Sequence, residues 1–436
     1  MIFLTYWFYV FAVIALTAYW LIPHKTTRLV WLLVTCAVFH THFAGPAGVI
    51  PIVVLAVLTY LIGLTRSRHL CVIGIAACVA ALLFYKYSNF LCLNVVGLFS
   101  AHAGQASLDF AKHWQPAAPP LAISFFAFEF IHYLYDIRLG SPSLKNPLHF
   151  ANFAIFWPSI VAGPIKRYEQ FVPAMEAGAS APGLIRSRPG IAPDASDENR
   201  RPLAEDPGRC PGVEESRAMD VDGIAYGLLR VTVGFIKKAM ADNLTAYLAH
   251  NTPHFADASI YLRWAMLAML SLRILWDFSG YSDMAIGFAR MLGIRIPENF
   301  NWPYLADSLV DFWRRWHISL STWIRDYVYI PLGGSRRGVG RKIFNGLFAF
   351  ALCGLWHGAA WNFVAWGIYH GVGLAIVSSY RALLGPVGST LHRWLSVNRV
   401  ITWGLTMFYV AFGWLLFFYP LPDAWRMFKL LFGAAS

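Results

Sequence analysis

The sequence predicts an all-α polytopic membrane protein, and three observations predict it. Of its 436 residues 58% are hydrophobic and only 13% charged, against about 25% charge in ordinary soluble domains. The mean hydropathy is +0.51. Apolar windows approaching the roughly 20 residues that cross a bilayer recur along the whole chain, so residues 1–436 read as a single transmembrane domain rather than an anchor on a soluble enzyme.

The first window, "MIFLTYWFYVFAVIALTAYWLIP", has no Lys or Arg before it and no small-residue cleavage site behind it. It reads as a retained span, not a signal peptide. Further windows fall near 29–43, 47–64, 70–99, 120–138, 148–162, 223–250, 260–278, 280–293, 343–356, 358–380, 400–419 and 421–433. The one holding "FWPSIVAGPIKRY" is broken by Pro and Gly and reads as a re-entrant piece, which survives at membrane depth only where protein or a cavity covers its backbone. An internal cavity is therefore expected.

The net charge of +12 comes from Lys and Arg in short clusters between apolar runs, as the positive-inside rule predicts for cytoplasmic loops. A lipid bilayer explains this charge, and no nucleic-acid partner is needed. The cluster "HKTTR" at 24–28 puts its loop in the cytoplasm, while Arg66 and Arg68 complicate simple alternation of spans. Six scattered cysteines include no CxxC, so neither a disulfide framework nor a metal site is read. Cys353, four residues before His357, is either a small buried hydrophobe or half of a Cys/His nucleophile pair.

Residues 176–222 break the pattern. They are rich in Pro, Gly, Ala and mixed charge, with almost nothing to bury, and such a composition cannot offset the entropy of ordering. A flexible polar insertion is expected there. No internal repeat points to a transporter built from two halves.

The polar groups lie in four places. "FAFEFIHYLYDIRLG" sets Glu129, His132, Tyr133 and Asp136 at i, i+3, i+4 and i+7, either a hydrogen-bond network or a substrate lining. "WDFSGYSD" gathers Asp277, Ser279, Tyr281, Ser282 and Asp283, which read as a short break between two helices with carboxylates capping the ends. The spacing of 308–330 predicts one helix with a broad apolar face of Leu309, Phe312, Trp313, Trp316, Leu320, Trp323 and Ile324, capped by Asp307 or begun by Asp311 as a first-turn acid. Two readings fit it: an interfacial helix with Arg reaching head groups, or a helix whose polar face lines a cavity with His317 beside Trp313, Leu320 and Ser321. Finally, "GLWHGAAWNFVAWG" carries His357, a structural ring or, as an ionisable residue at membrane depth, a functional candidate. His370 is rotated from it by about 220° on a helix and reads as structural.

These blocks, together with "NFNWPYLADSLVDFWRRWHISLSTWIRDYVYIPLGGSRRG", occur in the order found in membrane-bound O-acyltransferases (MBOAT), and the chain resembles the bacterial polysaccharide O-acetyltransferase branch, related to teichoic acid D-alanyl transfer. The resemblance implies an MBOAT-type ring of tilted transmembrane and re-entrant helices around a central tunnel, in the bacterial inner membrane. It places the catalytic histidine on His357 and a second active-site histidine on His317. Trp313, Arg314, Arg315, Ser321, Arg336, Arg337 and Asn362 are the substrate- or donor-binding candidates; the basic run at 336–342 is either a positive-inside anchor or a patch that draws an anionic donor or an acidic carrier protein from the cytoplasm.

The implied donor is acetyl-CoA or another acyl thioester, with no bound cofactor. The implied acceptor is an exported polysaccharide, with a periplasmic acetyltransferase or secretion components as partners. Moving acyl from thioester to hydroxyl needs a base near neutral pKa, which imidazole supplies; His317 would orient a substrate or stabilise the oxyanion. A proton-coupled transporter, a non-catalytic scaffold, and an acyltransferase for a lipid, teichoic acid or protein acceptor are the alternatives.

Overall fold

A computed structural model describes residues 5–116, 119–181 and 220–434. Fifteen α-helices carry those residues, with no strand among them: α1 (Tyr6–Leu21), α2 (Lys25–Thr65), α3 (Arg68–Leu82), α4 (Ala101–Trp114), α5 (Ile123–Leu139), α6 (Pro147–Ala154), α7 (Tyr168–Ser180), α8 (Val221–Asn251), α9 (Ile260–Met291), α10 (Leu309–Arg315), α11 (Ile318–Ile324), α12 (Gly338–His357), α13 (Trp361–Val397), α14 (Arg399–Phe418) and α15 (Leu421–Leu431). Lys25–Gly45, Gly48–Thr65, Arg68–Tyr87, Trp361–Val397 and Arg399–Phe418 are long and apolar enough to cross a membrane. The chain is thus an all-α, multi-pass membrane protein.

The 41 residues of α2 are two spans, separated at Gly45, whose φ of 67° is left-handed. Asn152 Nδ2 of α6 donates to Leu29 O at 3.0 Å, and Phe150 of the same helix packs on Tyr60 at 5.2 Å. Leu29 and Tyr60 therefore sit at one level and the two spans are antiparallel. Lys25, Arg28, Arg66 and Arg68 fall at one basic end of the bundle, which removes the conflict with alternating spans. The far end of this hairpin lies against the start of α5: a Cβ on Gly48 would stand 3.8 Å from Pro120 Cα.

Helix α5 runs the depth of the protein, from Ile123 near the hairpin's turn to Asp136 near the basic end, about 20 Å at 1.5 Å per residue. It also divides the core. Phe126 and Phe130 join a cluster built with α1, α2, α6 and α7, whereas Phe128 joins one built from α9 to α15. The polar stripe of α5 forms a network: Lys166 Nζ donates to Glu129 at 2.6 Å with both groups buried, Tyr327 donates to Asp136 at 2.8 Å, and His132 Nδ1 lies 3.1 Å from Phe128 O. Removing one partner of a buried ion pair leaves an uncompensated charge, a loss of about 3–5 kcal/mol. Glu129→Gln is expected to lower the thermal midpoint in detergent, and Glu129→Gln with Lys166→Met to recover most of it.

The re-entrant segment is non-helical from Ile155 to Arg167 and covered by protein, with Phe156, Trp157, Ile160 and Lys166 all buried. That is the condition under which irregular backbone survives at this depth.

Three expectations are corrected. First, "WDFSGYSD" is no break: α9 is continuous through it. Gly280 and Gly287 meet Gly234 and Gly227 of α8 so closely that a Cβ on Gly234 would lie 2.6 Å from Gly280 O. The small residues serve helix contact rather than a turn, and the carboxylates form ion pairs to α8, Asp283 with Arg230 and Lys237 and Asp277 with Lys238. Second, 308–330 is not one helix. It breaks at His317 (φ 42°) and widens to a π-helix over Arg325–Tyr329, and its N-cap is Ser308, while Asp307 pairs with Arg399 at 3.1 Å. Third, the 176–222 insertion is shorter at its edges, because residues 176–180 complete α7 and Asp220 caps α8. The rest of that insertion lies outside the described residues.

Candidate active site

His357 is the last residue of α12. The glycines around it exist for close approach: a Cβ on Gly354 would lie 2.1 Å from Phe363 O, and one on Gly358 would enter the Phe363 ring at 2.0 Å. With Gly367 against Phe350 O in the same way, the backbones of α12 and α13 touch. Gly354→Val is therefore expected to push α12 off α13 and displace the imidazole. Since misplacement by about 1 Å can cost 10²-fold in rate, the check is the turnover of this variant at normal membrane levels.

Two side chains preceding α4 seize the end of α12. Tyr87 OH donates to Leu355 O at 2.9 Å, and Lys86 Nζ donates to Trp356 O and, at 3.0 Å, to Ser124 Oγ of α5. Both belong to a π-helical turn, Leu83–Tyr87, that continues α3, a local widening found often at functional sites.

His317 reaches the same place from the break between α10 and α11. An adjacent segment stitches the break: Asn301 N donates to Arg315 O at 3.0 Å, Ile318 N donates to Asn299 O at 2.9 Å, and Ser319 Oγ donates to Asn299 Oδ1 at 2.8 Å. These bonds replace those the helix loses and hold His317 in its left-handed conformation. Its ring neighbours therefore include ones that no helical spacing predicts: the ring stands edge-on to Phe278 at 4.5 Å and tilted to Trp356 at 5.9 Å and His357 at 6.2 Å. His317 is fully buried, and neither ring nitrogen has a hydrogen-bond partner among the described residues.

Two cavities meet this wall. One, of about 540 Å³, is lined by His357, Lys86, Ser124, Arg273, Asp277, Trp356 and Trp366 among others, and by Pro120 at the turn end of the α2 hairpin. The second, of about 570 Å³, is lined by Trp313, Arg314, Ser321, Arg325, Lys342, Cys353 and Ser378 among others. Along α12 the second cavity is touched from Lys342 to Cys353 and the first from Trp356 onward. Along α13 the order reverses, Trp366 before Gly371 to Ser378. They are stacked along the bundle, the second toward the basic end, where Arg325 and Tyr329 adjoin Tyr327 on Asp136. Trp313 and Trp366, 5.8 Å apart, stand between them.

Among the candidate residues, His357 and His317 are brought together, and Trp313, Arg314 and Ser321 line the second cavity. Arg315 instead pairs with Asp311 at 2.8 Å, and Asn362 donates to Leu416 O at 3.2 Å; neither lines either cavity. Arg336 and Arg337 are exposed in the turn before α12. Cys353 faces the second cavity, not the one that holds His357. His370 is buried against Trp313 and Trp366. Residues 134–419 match the family described as MBOAT, membrane-bound O-acyltransferase family.

The chain belongs to the membrane-bound O-acyltransferase family. It is 32% identical to the probable alginate O-acetylase of Azotobacter vinelandii, over 83% of this chain and 62% of that protein. It is 30% identical to the peptidoglycan O-acetyltransferase of Helicobacter pylori, over 79% of this chain and 61% of that one. With the teichoic acid D-alanyltransferase of Bacillus subtilis it shares 27% identity over 71% of this chain and 72% of the relative. The chain thus spans about three-fifths of the length of the two O-acetylating relatives.

Lys86 and Arg273 are cavity-lining cations that the sequence motifs did not single out. The signal for Lys86 was present: a lysine inside the apolar window 70–99 is an intramembrane charge.

Proposed function

We propose that this MBOAT chain is an O-acyltransferase of the bacterial inner membrane that moves an acyl group, acetyl in the first instance, from a cytoplasmic thioester such as acetyl-CoA toward hydroxyls of an exported polysaccharide. The observation that carries the reading is the pair of histidines, ring centroids 6.2 Å apart, with His357 opening on one of two cavities stacked along the bundle. Such a layout suits a reaction whose donor and acceptor arrive from opposite sides. The relatives named for alginate and peptidoglycan O-acetylation favour a glycan acceptor over a lipid or protein one.

In this mechanism the acceptor hydroxyl lies against His357. Its oxygen attacks the thioester carbonyl as the imidazole takes the proton. The tetrahedral intermediate collapses with cleavage of the C–S bond, and the imidazolium returns the proton to the departing thiolate. His317 positions the reacting groups from the wall. The second cavity, with Arg314, Arg325 and Lys342, receives the donor, and the exposed Arg336 and Arg337 concentrate its phosphates nearby. A secretion partner would carry the acylated glycan onward.

Purified protein in lipid vesicles, given a radiolabelled acetyl thioester on one face and polysaccharide on the other, tests the reading. Label is expected in base-labile ester on the glycan. Intact donor, or flux of a solute without ester formation, would contradict it and favour a transporter.

A further inference from the structure

The cavity that holds His357 also holds the ammonium of Lys86. Lys86 Nζ uses two of its three N–H groups, on Trp356 O and Ser124 Oγ, both neutral acceptors. Among the described residues no carboxylate pairs with it. Asp277, the carboxylate lining the same cavity, is held by Lys238 from α8. A second lining cation, Arg273, donates to Thr245 Oγ1 at 2.8 Å and lies over the Phe418 ring at 4.5 Å, again with no acid partner among the described residues.

A half-buried ammonium without an anion is costly to keep. A fixed carboxylate beside it would neutralise the ammonium, so the lack of one among the described residues leaves its charge free for an anion that arrives or develops in the cavity. A cation held rigidly with one donor spare suits a negative charge that exists only briefly, since a preorganised donor stabilises a transition state without reorganising when the charge appears. The grip on Trp356 O places this ammonium one residue from His357, with both side chains facing one cavity. His317, by contrast, is walled off behind Phe278 and Trp356 and does not line that cavity.

We propose that Lys86 is the oxyanion-stabilising residue of the transfer, donating its free N–H to the carbonyl oxygen of the acyl group as the acceptor oxygen attacks. This rests on the O-acyltransferase reading. While the new C–O bond forms and the proton passes to His357, the carbonyl π electrons move onto oxygen, where the ammonium meets them. When the C–S bond breaks they return to the carbonyl, and Lys86 keeps its own proton throughout. His317 is then left with positioning alone.

The test measures kcat and KM for donor and acceptor in the vesicle assay with Lys86→Met, Lys86→Arg and Tyr87→Phe, beside His357→Ala. Removal of one oxyanion donor costs about 10²–10³-fold in kcat. Lys86→Met is expected to lose that much with each KM within about twofold, and Lys86→Arg to retain part of the rate. Tyr87→Phe removes the neighbouring clamp on α12 and is expected to stay within about threefold of wild type, which separates chemistry from helix anchoring. Equal losses in Lys86→Met and Tyr87→Phe would overturn the proposal in favour of a structural clamp. A Lys86→Met defect confined to KM would overturn it in favour of ground-state binding of an anionic substrate. An unaffected Lys86→Met with inactive His357→Ala would sink the Lys86 role alone, whereas active His357→Ala would sink the parent mechanism.

Discussion

Replacing His357 with alanine is expected to slow acyl transfer by about 10²–10⁴-fold, the range a positioned general base contributes, with membrane insertion and thermal midpoint close to wild type. The physical reason is its place. His357 terminates α12, so its side chain closes no helical turn beyond it, and its contacts are ring edges of Trp366 and Phe417 at 5.2 Å rather than hydrogen bonds. Alanine there leaves a wider cavity and an intact helix. A Cys353 nucleophile would predict the opposite pattern, with Cys353→Ser inactive and an acyl-enzyme trapped. Cys353 faces the other cavity, whose lining among the described residues offers no imidazole or carboxylate to activate a thiol, so that variant is expected to keep its rate, and intact-mass measurement during turnover is expected to show no acyl adduct.

His317 calls for a different substitution, because its backbone is left-handed at φ 42°. Alanine is disfavoured in that conformation, and a fall in activity would mix backbone strain with loss of the ring. Asparagine adopts it readily. His317→Asn is therefore expected to fold normally and to lose about 10²-fold in kcat, as expected for misplaced reacting groups. His317→Gly, which meets the backbone requirement with no side chain, is expected to fold and to be the slower of the two. If both variants lose membrane levels and thermal midpoint together, the ring's role is to fill the wall rather than to position substrate.

Much of this architecture was legible because apolar windows report burial directly. The spans of α2, α3, α13 and α14 and the interruption between α12 and α13 were all visible as hydropathy, and the Pro and Gly residues around Trp157 marked the irregular segment. What failed did so for identifiable reasons. Apolar periodicity runs through Trp316 without pause, so nothing in the spacing reveals that Asn299, from a preceding segment, replaces the helix's own bonds at His317. The facial neighbours assigned to His317 consequently left out Phe278 and Trp356, although its proximity to His357 came with the family blocks. In α9 the cluster of Ser and Gly read as a turn because its partner, the glycine pair of α8, lies more than 40 residues upstream. Lys86 escaped because it belongs to no motif; its meaning appears only when α3's π-helical end is seen on the carbonyl of Trp356.

If His357 serves O-acyl transfer onto an exported glycan, the glycan itself records the reaction. Mass spectrometry of surface polysaccharide from cells with wild-type protein and cells with His357→Ala at equal membrane levels tests it most directly. Glycan from wild-type cells is expected to carry an acyl mass increment, about 42 Da for each hydroxyl acetylated by base-assisted transfer, and glycan from the variant to lack it. The same increment at the same abundance in both would contradict that role for His357.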